Sequence, residues 1–334
     1  MNAKSWIGVL VTLLLGWLVV RNLDLALFWN SLSDMRMGLW LLAVVPYVAG
    51  LSLRALRWRL ALGPLVRNVP FPRMIPYIFI GLMFNALLLA RAGDLYRAYL
   101  VTRRHGLGYP ASLAVAGVER IFDGLFMVLL LAVALWLGGY ESPWLHHLRS
   151  VALAGFGLAA IGVAVLAAFP EASTRLLSRL TAPLPGRIGA ALHKGIGDFI
   201  TGFSVFRDPR RLLLVCAATT LQWLVEGGFY FFLWKAFGFS TNWTAPGLAV
   251  ALLSLAVILP AVPGYVGVFE FAVAGSLLAN GVEESAAVAA SVVAHVTQVG
   301  VCTLLGLLFL WKLGIHFPSI RGRTLDPPTK ESLP

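Results

Sequence analysis

Arg73-Met74-Ile75-Pro76-Tyr77-Ile78-Phe79-Ile80-Gly81-Leu82-Met83-Phe84-Asn85-Ala86-Leu87-Leu88-Leu89-Ala90-Arg91 is an apolar run closed by an arginine at either end. More arginines stand beyond both ends: Arg54, Arg57, Arg59 and Arg67 before it, Arg97, Arg103 and Arg104 after it. Lys and Arg accumulate in the cytoplasmic loops of membrane proteins, so both flanks belong on one side. A single crossing cannot return to the side it left. Residues 74–103 are therefore expected to form a re-entrant hairpin that enters and leaves from the cytoplasm. Its second leg, Arg91 to Arg103, is too polar to face lipid. Non-helical backbone at membrane depth is tolerated only inside protein or beside a water-filled cavity, which places the break in the protein interior.

The composition agrees with a membrane setting. Of 334 residues, 59% are apolar and only 12% charged, against about 25% charged in a soluble domain, and the mean hydropathy is +0.83. Disorder and an ordinary water-soluble core are excluded. The net charge of +11 suits an anionic lipid or substrate. Cys216 and Cys302 lie in different apolar runs, which implies no disulfide framework. No Cys/His spacing suggests a metal, and no cofactor is expected.

Working outward, residues 246–280 read as a second hairpin, with legs 246–262 and 264–280 broken at Pro260, Pro263, Gly264 and Gly267. Its flanks carry Glu283 and Glu284 and no basic residue after Lys235, which suggests entry from the outer side. Full spans are expected at 5–21, 37–55, 111–138, 151–169, 212–238 and 284–311. No small-x-small cleavage site precedes Arg21, so the first run is expected to stay as an anchor. With both termini cytoplasmic, this arrangement leaves only Arg21, Arg36, Arg149 and Lys235 outside, and Arg120 within a span. The fold class is thus an all-α polytopic membrane protein with six full spans and two re-entrant hairpins. The hairpins lie in inverted repeats, 37–138 and 212–311, within a single transmembrane domain over 1–334. Broken helices in inverted repeats meet near the midplane in secondary transporters and point to the binding site. Residues 170–211 form a cytoplasmic connector, with an interfacial helix expected over 187–206.

Ionisable groups at membrane depth need a partner or a cavity. In Glu119-Arg120-Ile121-Phe122-Asp123, the carboxylates are four apart and share a helix face, and Arg120 can pair with Asp123 at three apart. A structural ion pair and a headgroup or proton site both fit. At the first break, Gly93 permits close backbone approach, and Arg91 and Arg97 offer planar forks suited to phosphate. Asp94 sits between them, and Asn85 needs a partner in its apolar leg. At the second break, Glu270 follows the prolines and glycines, either as a titrating carboxylate or as a counter-ion for an arginine of the first hairpin. Arg54 and Arg57 share a face, and either snorkel to lipid phosphates or point inward. Glu226, His295, Gln222 and Gln298 are candidate cavity-lining residues. No nucleotide-binding glycine loop, nucleophile elbow or metal-ligand spacing is present, and the chain is not expected to be an enzyme.

These residues resemble one family, the transmembrane domain of lysylphosphatidylglycerol synthases, which also occurs alone as flippase-like membrane proteins. The resemblance rests on Arg54 to Arg59 (Arg-x-x-Arg-Trp-Arg), Asn85 to Arg97 (Asn-x4-Ala-Arg-x-Gly-Asp-x-x-Arg), Glu119-Arg120-x-x-Asp123 and Leu259 to Glu270 (Leu-Pro-x-x-Pro-Gly-x-x-Gly-x-x-Glu). Family members usually have proline where Ala90 stands. The resemblance implies movement of a headgroup-bearing lipid between leaflets of a bacterial inner membrane, without lysyl transfer. The expected partners are membrane lipids with an anionic or zwitterionic headgroup and lipid-synthesis enzymes, and no nucleic acid. On this reading Arg91, Arg97 and Arg120 hold the phosphate, while Asp94, Glu119, Asp123 and Glu270 balance them. The rivals are a lipid-modifying enzyme using Glu119 and Asp123 as acid and base, and a scaffold for a lipid synthase.

Overall fold

A computed structural model of the chain describes residues 3–66, 69–88, 92–140, 143–181, 207–240, 242–257 and 263–315, together with 195–196, 200 and 203. The long helices are α3 (Met37–Leu62), α6 (Tyr109–Gly138), α7 (Pro143–Ala168), α9 (Pro209–Ala236) and α12 (Glu284–Lys312). These five are long and apolar enough to cross a membrane, six if the bent pair α1 (Ala3–Val20) and α2 (Leu25–Ser33) counts as one span. The axes of that pair differ by 85°. Asp24 supports the bend as the N-cap of α2, accepting from the amides of Ala26 at 2.8 Å and Leu27 at 3.1 Å. No strand occurs among the described residues. The chain is an all-α polytopic membrane protein.

Four shorter helices fill the regions expected to be broken: α4 (Ile75–Leu87), α5 (Ala92–His105), α10 (Thr244–Ala256) and α11 (Val268–Leu278). At 13, 14, 13 and 11 residues, each is shorter than the ~20 residues a crossing needs. The remaining helix, α8 (Pro170–Thr181), opens the expected connector. The interfacial helix expected over 187–206 falls almost wholly outside the described residues, and so do Arg91 and Pro260.

The packing follows a pattern. α3 lies along α9 in the most extensive contact of the molecule. α4 packs on α12, and α10 packs on α6. α4 contacts α5 as α10 contacts α11, and α5 contacts α6 as α11 contacts α12. Exchanging α3, α4, α5 and α6 for α9, α10, α11 and α12 leaves the α3–α9 contact in place and maps each of the others onto its counterpart. α7 stands apart, packed on α6 and α8, and buries only Leu145 and Ala167 among its described side chains.

Close approach makes the first hairpin. A Cβ on Gly93 would lie 1.8 Å from the carbonyl oxygen of Gly81, so α5 seats on α4 at a distance only glycine permits. In the second hairpin, Gly264 and Gly267 have φ of +77° and +79° and turn the chain between α10 and α11. A Cβ on Gly267 would lie 2.8 Å from the oxygen of Thr12, so α1 closes against that turn.

One expected boundary is corrected. Arg54 and Arg57 lie inside α3 rather than at its end, and only Arg59 stands in its last turn. α3 runs through them to Leu62, with Arg54 6% and Arg57 0% exposed. Snorkelling is ruled out for both, because α9 and α6 cover the face they share.

Candidate functional site

The two breaks meet. Gly264 lies next to the carbonyl oxygen of Ala86 at the end of α4, 3.5 Å from where a Gly264 Cβ would stand. Beside this junction is a cavity of about 560 Å³. α3 contributes Tyr47 and Arg54 to it, α4 Asn85, and α6 Arg120 and Asp123. α9 contributes Trp223, Glu226 and Tyr230, and α12 His295 and Gln298. The turn supplies Gly264 and Tyr265, and Phe156 of α7 closes one wall.

A ladder of ion pairs forms the floor on the first-hairpin side. Arg57 is wholly buried, bonding Asp123 through Nη1 and Glu119 through Nη2 at 3.0 Å. Arg97 donates to Glu119 at 2.7 Å and approaches Asp94 at 3.5 Å. Its guanidinium lies 4.5 Å from the Trp58 ring centroid, a cation–π contact. Arg120 reaches Asp94 at 3.1 Å and Asp123 at 3.8 Å. Asn85 donates to Asp94 at 3.3 Å, and Trp223 Nε1 donates to Asp123 at 2.9 Å. Four guanidinium groups thus face three carboxylates in the ladder. Arg54 has the longest closest ion pair of the four: it reaches Asp123 at 3.5 Å, lies 5.9 Å from the Trp223 ring centroid, and lines the cavity.

The opposite wall is different. Glu226 accepts from Gln222 at 2.9 Å, and Gln298 donates to the Tyr230 hydroxyl at 3.0 Å. His295 stands between Glu270, 2.5 Å from Nδ1, and the Gly264 carbonyl, 2.6 Å from Nε2. Glu270 Oε2 accepts from the Gly267 amide at 2.7 Å. The His295 ring stacks on Phe269 with centroids 4.3 Å apart.

Several expectations change here. Arg97 does not reach the cavity, since Glu119, Asp94 and Trp58 occupy it. Arg57 and Glu119 are likewise buried in the ladder and do not line the cavity. Arg120 pairs mainly with Asp94 across helices, and Asp123 mainly with Arg57. Among the described residues, the ion-pair partner of Glu270 is His295. Gly93 and Gly267 are packing and turn residues, and Pro263 opens the short turn that includes Gly264. Trp58, Trp223, Tyr47, Tyr230 and Phe156 were missed. Residues 223, 226 and 230 form the stripe of α9 that lines the cavity, whereas Gln222, expected to line it, is buried behind Glu226 and does not reach it.

Residues 5–306 match the family model described as the lysylphosphatidylglycerol synthase TM region. The chain belongs to that family. It is 27% identical over 337 aligned positions to a protein named Glycosyltransferase AglD from Haloferax volcanii, covering 92% of this chain and 54% of that one. The chain therefore spans about half the length of that relative. Two proteins of Methanothermobacter thermautotrophicus, each named UPF0104 membrane protein, are 26% and 25% identical. Those matches cover 77% and 85% of this chain, and 78% and 86% of theirs. No solved structure gives a significant match. The expectation that the chain is not an enzyme is corrected by these findings: a relative aligned over most of the chain bears an enzyme's name, and missing motifs are no ground for excluding catalysis.

Proposed function

We propose that this chain is a lipid translocase that holds a phosphate-bearing headgroup in the cavity between the two hairpin breaks, with the acyl chains left in the bilayer. The observation that carries this reading is Arg54, a buried guanidinium facing a cavity from a ladder with more arginines than carboxylates. A buried cation held by one long ion pair is only partly offset, and an anionic headgroup would add a second partner to it. Arg120 is the headgroup's other contact, with a third of its side chain exposed toward the same space. Residues 37–138 and 209–312 act as inverted repeats in this reading. The exchange of contacts between them supports it, and the short, broken helices support re-entrant hairpins.

The test is leaflet-to-leaflet transfer of a labelled phospholipid in proteoliposomes. Arg54→Lys together with Arg120→Lys keeps the charge but loses the planar fork, and should slow transfer by roughly tenfold or more. Unchanged transfer by the folded double variant would remove the phosphate site.

The name of the Haloferax relative favours a second reading, in which the cavity handles a lipid-linked sugar and transfers it. Asp123 and Glu226 are the carboxyl groups of α6 and α9 that line the cavity. A new product formed from a labelled lipid-linked sugar by the purified protein would establish that reading.

A further inference from the structure

His295 is held at both ring nitrogens, and its partners fix a proton count. A carbonyl oxygen only accepts, so Nε2, 2.6 Å from the Gly264 oxygen, carries a hydrogen. Nδ1 faces Glu270 Oε1 at 2.5 Å, while Glu270 Oε2 accepts from the Gly267 amide at 2.7 Å. A hydrogen bond between Nδ1 and Oε1 then needs one more proton, on the carboxyl or on the ring. Protonated acid with neutral imidazole, and carboxylate with imidazolium, hold the same total. Without that proton a lone pair would face a carboxylate at contact distance, or the ring would turn its hydrogen to Glu270 and repel the Gly264 carbonyl. Stacking on Phe269 at an interplanar angle of 6° keeps the ring in this plane.

We propose that Glu270 and His295 form a proton-dependent latch that ties the tip of the second hairpin to α12, binding one proton when closed and releasing it when open. The latch deepens the translocase reading and rests on it for its role: Gly264 and Tyr265 border the headgroup cavity at the junction with α4. On opening, the shared proton passes to cavity water, leaving a carboxylate and a neutral imidazole. On closing, one proton is taken from water.

Among the described residues, few other ionisable groups stand near the tip. α10 carries no ionisable side chain, and neither does α1 from Thr12 to Val20. α4 contributes no charge to the cavity. Glu226 of α9, Arg54 of α3, and Arg120 and Asp123 of α6 line the same cavity, as do the hydroxyls of Tyr47, Tyr230 and Tyr265 and the thiol of Cys302 on α12. Among the described residues, no ion pair or hydrogen bond joins the four charged groups, Tyr47, Tyr230 or Cys302 to Glu270 or His295.

The test reads the tip directly. Tyr265→Cys is placed in a Cys216→Ala background and labelled with a maleimide between about pH 5.5 and about pH 8. The same variant carrying Glu270→Gln is the reference, since the amide donates to Nδ1, accepts from Gly267 and keeps the latch shut at every pH. Intrinsic thiol chemistry cancels in the ratio of the two rates. The ratio should rise by up to about tenfold per pH unit, the slope of a one-proton equilibrium, and then level off. If the reference does not fold, His295→Gln serves instead, keeping a donor toward Gly264 without an imidazole. A ratio constant across the range overturns the latch. Lipid transfer separates the two readings: transfer with a constant ratio leaves the translocase and removes the latch, whereas a titrating ratio without transfer does the reverse.

Discussion

At the scale of single residues, the chain keeps charge inside a membrane by pairing it almost completely. Arg57 is the centre of this: fully buried, it bridges Glu119 and Asp123, which lie one turn apart on α6. Removing one member of a buried pair leaves an uncompensated charge and typically costs about 3–5 kcal/mol. Arg57→Met should therefore lower the thermal midpoint in detergent sharply. Pairing it with Glu119→Gln removes one of the two carboxylates that lose Arg57 as a donor and keeps the ladder's excess of one arginine, and should recover part of the loss. A double substitution no more stable than Arg57→Met alone would show that the ladder acts through something other than charge balance. The identities of these residues were legible in the sequence, because ionisable groups in apolar runs stand out. Their pairing was not. Arg120 lies three residues from Asp123, yet its shorter contact is to Asp94 on another helix, and helical spacing alone carries no information about neighbours across a bundle.

At the scale of elements, the short helix pairs were readable: α4 and α5 from a conflict between apolar length and arginine placement, α10 and α11 from the prolines and glycines between them. The helices α4, α5, α10 and α11 occupy the expected legs, with ends shifted by a few residues, as turn chemistry sets such ends only loosely. What no pattern could show is how tightly the legs close. Gly93 lies where any Cβ would collide with the backbone of Gly81. Gly93→Ala should then force α5 away from α4, disturb the Asn85–Asp94 contact and cost about 2–4 kcal/mol. Thermal unfolding checks this directly, and a shift below experimental scatter would mean the hairpin is looser than its geometry states. The extension of α3 past residue 55 was also hidden, since Arg54-x-x-Arg57-Trp58-Arg59 looks like the end of a span until the carboxylates of α6 are placed against it.

For the whole molecule, the contacts of residues 37–138 and 209–312 exchange onto one another around the α3–α9 pair. If both ends of the first hairpin emerge on one side, cysteines at Pro72 and Gly106 should label from the same compartment. The measurement needs a Cys216→Ala background, because Cys216 is exposed, whereas Cys302 is buried against Tyr47. Labelling of the two sites from opposite compartments would dissolve the re-entrant hairpin and with it the inverted repeat. In the sequence the proposed repeat is only an order of apolar runs; the pairing of α4 with α12 and of α10 with α6 is three-dimensional information.

The two halves share a plan of contacts but not a chemistry. The seven ion pairs among Arg54, Arg57, Asp94, Arg97, Glu119, Arg120 and Asp123 all lie in the first half. The hairpin of the second half is fastened at its tip by His295 and Glu270. Parting the first hairpin from α3 and α6 means separating buried opposite charges, whereas parting the second means giving up a few hydrogen bonds and apolar contacts. In machine terms, the translocase reading makes one half the stator and the other the moving part, and predicts a one-sided stroke from matched halves.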